Sequence, residues 1–318
     1  MMSGFSRSRA VGVLAAAALL TATAACGSGS GSAQTATTAS GAAGGKPEVV
    51  AAFYPLQWLT EQVGGSDATV TGLTAPGVEP HDLELSIQQV TELKDAALTV
   101  YIKGIQPAVD DAVDAEKSFD AATAVTTIPA GEHAEEEGHA EEEHGHEELS
   151  YDPHLWLDPS RLATVATKLG ERLATADPAH AQGYRDRAAK TAATLGTLDQ
   201  EFTQGLSTCK TKTLVTAHEA FGYLADRYKL KQVGITLDPE TEPSPTRLSE
   251  VAKLAKAEGV TTIFTESLVS PKVAEVLASQ VGARTAVLDP LEGKPSGDYL
   301  SAMRDNLKTL QTALGCTA

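Results

Sequence analysis

Three histidines and one aspartate sit where they could jointly hold a cation. His81 lies in GVEPHDLEL shortly after a β-rich run, His154 in YDPHLWLDP, and His218 directly after another β-rich run in TLVTAHEAFGY. Asp289 closes the last such run, in AVLDPLEG. Three neutral imidazoles and one carboxylate make a closed, borderline-soft set that suits tetrahedral Zn(II), whereas manganese favours more oxygen ligands. Affinity alone would also admit Cu(II), Ni(II) or Co(II). Taken singly, each histidine also reads as a helix cap or a surface residue, and Asp289, before Pro290, as a turn residue. Three placements on the same kind of loop argue for a joint role, though spacing alone does not bring the residues together.

The elements that must position them alternate short apolar runs with amphipathic stretches from Glu48 onward, the pattern of an α/β fold with parallel sheets. In residues 48–158, strands are expected at Val49–Tyr54, Ala68–Leu73, Ala97–Ile102 and Ala121–Ile128. Ser86 with Gln89 three residues on forms a capping box at the head of SIQQVTELKDA. In residues 209–318, KTLVTA, LKQVGI, TTIFTE and RTAVLD read as strands, with helices over Thr246–Ala257 and Pro271–Val281. Two lobes of similar topology follow. In open parallel sheets the loops beyond the carboxyl ends of strands form the ligand crevice, so two facing lobes would bring the histidine loops together.

Residues 159–208 connect the lobes. Tyr184, Ala188, Ala192, Leu195, Leu198, Phe202 and Leu206 keep one helical face over six turns. A helix over Ala179–Ser207 would be roughly 40 Å long at about 1.5 Å per residue, a strut that resists wide hinge bending.

The first 25 residues place Arg7 and Arg9 before an apolar run from about Ala10 to Leu20, the layout of a secretory signal rather than a spanning helix. TAAC then ends at Cys26, and a Gly/Ser/Ala/Thr tether runs to residue 47. This resembles a bacterial lipobox, with Thr23 where Leu is usual, and implies that Cys26 is lipidated and anchors an extracytoplasmic protein to the cell membrane. The alternative is a cysteine beside an ordinary cleavage site.

The net charge of −17 argues against a nucleic-acid partner, which would need clustered basic residues. Cys209 and Cys316 read as one disulfide in an exported protein; a thiolate metal site would want closer spacing and nearby histidines. Residues 131–148 interleave His133, His139, His144 and His146 with nine glutamates. Such a run stays solvated. It reads either as a charged loop or as a weak secondary zinc collector that raises local ion concentration.

FYPLQWLTEQVGG, GVEPHDLELS, DPHLWLDP, LVTAHEAFGYLADRY, GITLDPETEPSP and VLDPLEG occur in the order and approximate spacing of one family. From about Glu48 to Cys316 the chain resembles the zinc-binding solute-binding proteins of bacterial metal-uptake ABC transporters, the ZnuA-like proteins of metal-binding cluster A-I. The resemblance implies two α/β lobes joined by one long rigid helix, with the metal in the inter-lobe cleft. It implies His81, His154, His218 and Asp289 as ligands of a transported Zn(II), with His218 the mark of zinc, since manganese-binding relatives carry an acid there. Zinc members commonly carry a His/Glu-rich loop at this point. A membrane permease is the implied partner, the chain acting as a monomer and not as an enzyme. Leu85 stands where the family often has Pro, and IKGIQPAV lacks a common Trp; neither is a proposed ligand. Glu266 matches a family acid near the cleft.

Two other functions remain open on sequence. A zinc hydrolase would need an acid or base beside a bound water, for which Glu219 is the nearest candidate; no HExxH, Gly-x-Ser-x-Gly or Walker loop is present. A metal-buffering or adhesin lipoprotein without a transport role would leave no legible motif.

Overall fold

The apolar runs fold as the inner strands of two sheets. A computed structural model describes residues 45–130 and 150–317. The first lobe contains Glu48–Ala51 (β1), Tyr54–Gly64 (α1), Thr69–Gly72 (β2), Ile87–Asp95 (α2), Leu98–Tyr101 (β3), Pro107–Ala112 (α3) and Ser118–Asp120 (β4). Pro159–Ala176 (α4) and Ala181–Gly205 (α5) follow. The second lobe contains Thr213–Thr216 (β5), Gly222–Tyr228 (α6), Lys231–Gly234 (β6), Pro245–Ala257 (α7), Thr262–Thr265 (β7), Lys272–Val281 (α8), Arg284–Val287 (β8) and Tyr299–Leu314 (α9).

The strand orders are β2-β1-β3-β4 and β6-β5-β7-β8, and every pair is parallel, so the lobes share one topology. Burial follows position in the sheet. The inner strands β5 and β7 are buried at all four residues and β1 at three, whereas β2 and β8 at the edges are half exposed. Strands covered on both faces need continuous rather than alternating apolar runs, which is why VVA, TLVT and TIFT are legible as strands.

The fourth strand differs from expectation. It is Ser118–Asp120, and Ala121–Ala124 form a 3-10 turn instead of a strand over Ala121–Ile128. The Asp120 carboxylate accepts from the Ala122 backbone N–H at 3.0 Å and so caps that turn, ending the ladder. The other local signals match the fold. Ser86 and Gln89 make both bonds of the capping box at the head of α2, and Ser244 caps α7 with Pro245 in its first turn.

The connection is two helices packed side by side, because Asp177–Pro178 cannot continue α4. α5 has 25 residues, about 37 Å at 1.5 Å per residue. Tyr184, Ala188, Leu195, Leu198 and Phe202 are buried along it, with Thr191 rather than Ala192 completing the face. Its first half grips the first lobe: the Arg187 guanidinium donates to Val63 O and Gly64 O, both at 2.8 Å, and Tyr184 Oη donates to Asp67 O. Its second half grips the second lobe, through Asp199 to Arg227 and Glu201 to Arg304. The Cys209–Cys316 disulfide ties the segment after α5 to the end of α9.

All described residues belong to one unit, and its main core runs unbroken from Val50 and Leu98 of the first lobe through Leu169 and Leu198 to Phe221, Leu288 and Tyr299 of the second. A second, smaller core under β5, β7, α7 and α8 includes Val215, Val251, Ile263 and Leu277. Lobes that share an apolar core are not free to hinge widely. Among the described residues no helix is long and apolar enough to cross a membrane.

Candidate metal centre

Each lobe sends two side chains into the cleft from loops beyond its strand ends. His81 follows β2, and Pro80 helps fix its turn, with Leu83 N donating to Pro80 O. His154 precedes a 3-10 turn at Leu155–Leu157. His218 comes two residues after β5, its carbonyl accepting from Thr216 Oγ1 at 2.7 Å. The fourth group is Glu292, beyond β8.

His81, His154, His218 and Glu292 form a group that could hold a metal ion, their ligand atoms all within 4.8 Å of one another. The three Nε2 atoms stand 3.4, 3.7 and 3.5 Å from Glu292 Oε1. A tetrahedral ion with bonds of about 2.0–2.2 Å has ligand–ligand edges of roughly 3.3–3.6 Å, so the His81 and His218 spacings fit zinc and the 3.7 Å spacing of His154 is slightly longer than such an edge. Nε2 of His154 and of His218 are buried without a hydrogen-bond partner among the described residues. Buried nitrogens of that kind are costly unless an ion or a proton takes them.

The opposite nitrogens explain why these atoms are free. His154 donates both its backbone N–H and Nδ1–H to Asp152 Oδ1, each at 2.8 Å. His218 donates its backbone N–H to Glu266 Oε1 at 3.0 Å and Nδ1–H to Glu266 Oε2 at 2.7 Å. A carboxylate only accepts, so it fixes the Nδ1–H tautomer and turns Nε2 toward the cleft. His81 is held more loosely: Asp238 of the second lobe lies 3.9 Å from its Nδ1, and its backbone N–H donates to Glu79 Oε1. Gly222 belongs to this machinery, because a β-carbon there would collide with Asp152 Oδ2.

Burial disfavours a charged His218, but Glu266 and Glu292 outweigh it and hold the imidazole well above its ordinary pKa. His81 is raised in the same way by Glu292. Burial would push Glu292 up, yet His218 and His81 hold it below the ordinary carboxylate range. Burial and the Glu292 charge push Glu79 up to about 7.

Asp289 stands outside this group, contrary to the sequence expectation. Its Oδ1 accepts from Leu291 N at 2.8 Å and its Oδ2 from Ser267 Oγ at 2.7 Å, while its backbone is bonded to Asn306. An Asp before Pro spends its carboxylate on its own turn, which points the acid three residues on, Glu292, at the cleft. Sequence reasoning also missed Asp152, although YDPH places a carboxylate two residues before His154. Glu219 faces away, its carboxylate near Arg247 and Gly234 N. Cys26 and the run with His133, His139, His144 and His146 lie outside the described residues.

The family model described as zinc-uptake complex component A, periplasmic (ZnuA) matches residues 49–313. This chain belongs to the ZnuA family. The zinc-binding protein AdcA of Streptococcus pyogenes is 36% identical over 299 residues, covering 85% of this chain and 56% of that protein. The chain thus spans little more than half the length of that relative. Among solved structures, a mutant of the laminin-binding adhesin Lmb from Streptococcus agalactiae is similar at TM-score 0.75 and 34% identity, covering 85% of this chain and all of that one. The Zn(II)-bound ZnuA-like domain of Streptococcus pneumoniae AdcA is similar at TM-score 0.69 and 32% identity, covering 85% of this chain and 99% of that one.

Proposed function

We propose that this chain captures Zn(II) outside the cytoplasm, in the site formed by His81, His154, His218 and Glu292, and delivers it to the membrane permease of an uptake transporter. The observation that carries this reading is the convergence of three imidazole Nε2 atoms on one buried carboxylate oxygen at or near tetrahedral-edge spacing. Membership of a zinc-uptake family and likeness to a Zn(II)-bound domain support it. Two ligands come from each lobe, so binding fastens the cleft, and release needs only a local loosening of one ligand. Lipidation at Cys26, a monomeric state and a weak collecting role for the His/Glu run belong to the same proposal.

Carrier is preferred to hydrolase because the closed four-residue set offers no open position for a reacting water, and because Glu219 is engaged elsewhere. Likeness to Lmb raises adhesion as a second role, but a shared fold does not carry function, whereas the metal group is built from this chain's own residues.

Zinc titration against a competing chelator across pH tests the proposal. One tight equivalent is expected. Zinc needs neutral imidazoles, so every proton held by the metal-free site opposes binding. Because His81 and His218 are raised, affinity should begin to fall above the ordinary imidazole pKa of about 6.5. Below that point it should fall about tenfold per pH unit for each proton displaced. Absence of a tight site, or an affinity flat between pH 8 and pH 6, contradicts the reading.

A further inference from the structure

Glu292 is carried by a turn whose hold comes partly from the other lobe. Leu291, directly before it, has φ +61, a left-handed conformation that a β-carbon disfavours, and its side chain is fully buried. Such a residue persists only where its surroundings over-determine it. Within the second lobe, Leu291 N donates to Asp289 Oδ1, and Asn306 brackets the Asp289 backbone with two bonds of 3.0 and 2.6 Å. Across the cleft, Trp156 Nε1–H donates to Pro290 O at 2.7 Å. Trp156 is fully buried and sits two residues after His154, in the 3-10 turn that His154 precedes. Its ring meets Phe53 edge-on at 4.8 Å, and its carbonyl accepts from Tyr299 Oη at 2.6 Å. Tyr299 in turn stacks on Trp58 of the first lobe. One side chain thus ties the backbone that carries His154 to the backbone that carries Glu292.

We infer that Trp156 is a positioning residue for the metal centre: its indole N–H fixes the Pro290–Leu291 turn and thereby keeps Glu292 at bonding distance from an ion held by the three histidines. The inference rests on the zinc reading above. Without that bond the strained turn can relax and Glu292 withdraw, leaving a site of three imidazoles. The ion would then leave faster, because one of its four bonds is lost.

Trp156→Phe tests this by keeping an aromatic ring and deleting the N–H. Zinc release into a chelator trap should be about 10- to 100-fold faster, the scale of a lost outer partner of a metal ligand. The visible absorption of the Co(II)-loaded variant should move toward that of Glu292→Gln, a change that a purely structural role for Trp156 would not produce. Tyr299→Phe, which deletes only the hydroxyl bonded to the Trp156 carbonyl, should shift release in the same direction by less. A folded Trp156→Phe with wild-type release and a wild-type Co(II) spectrum overturns the inference. If that variant is not recovered folded, unchanged release in Tyr299→Phe overturns it. Failure of the wild-type protein to bind zinc would instead overturn the zinc reading.

Discussion

His218→Ala is expected to abolish tight zinc binding, with an affinity loss well beyond the roughly 10- to 100-fold that follows loss of an outer carboxylate. His218 has no solvent exposure, and two buried carboxylates, Glu266 and Glu292, face its two ring nitrogens. Alanine removes a metal donor and takes the imidazole partner from Glu266 Oε2 and one of three imidazoles from Glu292. Removing one member of a buried ion pair costs about 3–5 kcal/mol, so the metal-free variant should also unfold at lower urea concentration. Glu266→Gln keeps the shape and removes only the charge that fixes the His218 tautomer; its loss should stay within about 10- to 100-fold. Chelator competition and urea unfolding, each with and without zinc, measure both effects. A tight site that survives His218→Ala unchanged would remove His218 from the metal centre.

Glu292 and Asp289 make opposite predictions. Glu292→Gln should weaken zinc by roughly 100-fold or more, because the one anionic member of the ligand group is lost and the buried acids Asp152 and Glu266 reach the ion only through His154 and His218. It should also lower the pH at which affinity begins to fall, since Glu292 contributes most to raising His81 and contributes to raising His218. Asp289→Asn should leave affinity within a few-fold, because an amide oxygen can still accept from Leu291 N and hold the turn. Isothermal titration of the two variants at two pH values separates them. Loss of zinc in Asp289→Asn with retention in Glu292→Gln would restore Asp289 as the ligand.

The contrast between these acids shows what the sequence made legible. Local rules were readable: the Ser86/Gln89 capping box, the buried strands TLVT and TIFT, the α5 face from Tyr184 to Phe202, and the histidines on loops beyond strand ends. Each depends on near neighbours along the chain or on a simple period. Choosing between Asp289 and Glu292 depends on which carboxylate the turn consumes, and that is decided by Leu291, Ser267 and Asn306. The pairing of His218 with Glu266 joins residues 48 apart, and that of Trp156 with Pro290 joins residues 134 apart. No periodicity records such pairs. The misplaced fourth strand has a local origin instead: AATAVTTI has strand-like composition, but the preceding Asp120 caps a turn there.

The most direct test is anomalous diffraction at the zinc edge from crystals of the zinc-loaded protein. One full peak is expected in the cleft, about 2.0–2.1 Å from Nε2 of His81, His154 and His218 and about 2.0–2.2 Å from a Glu292 oxygen. A zinc ion bonded to Asp289, or lying away from these three histidines, would contradict the account.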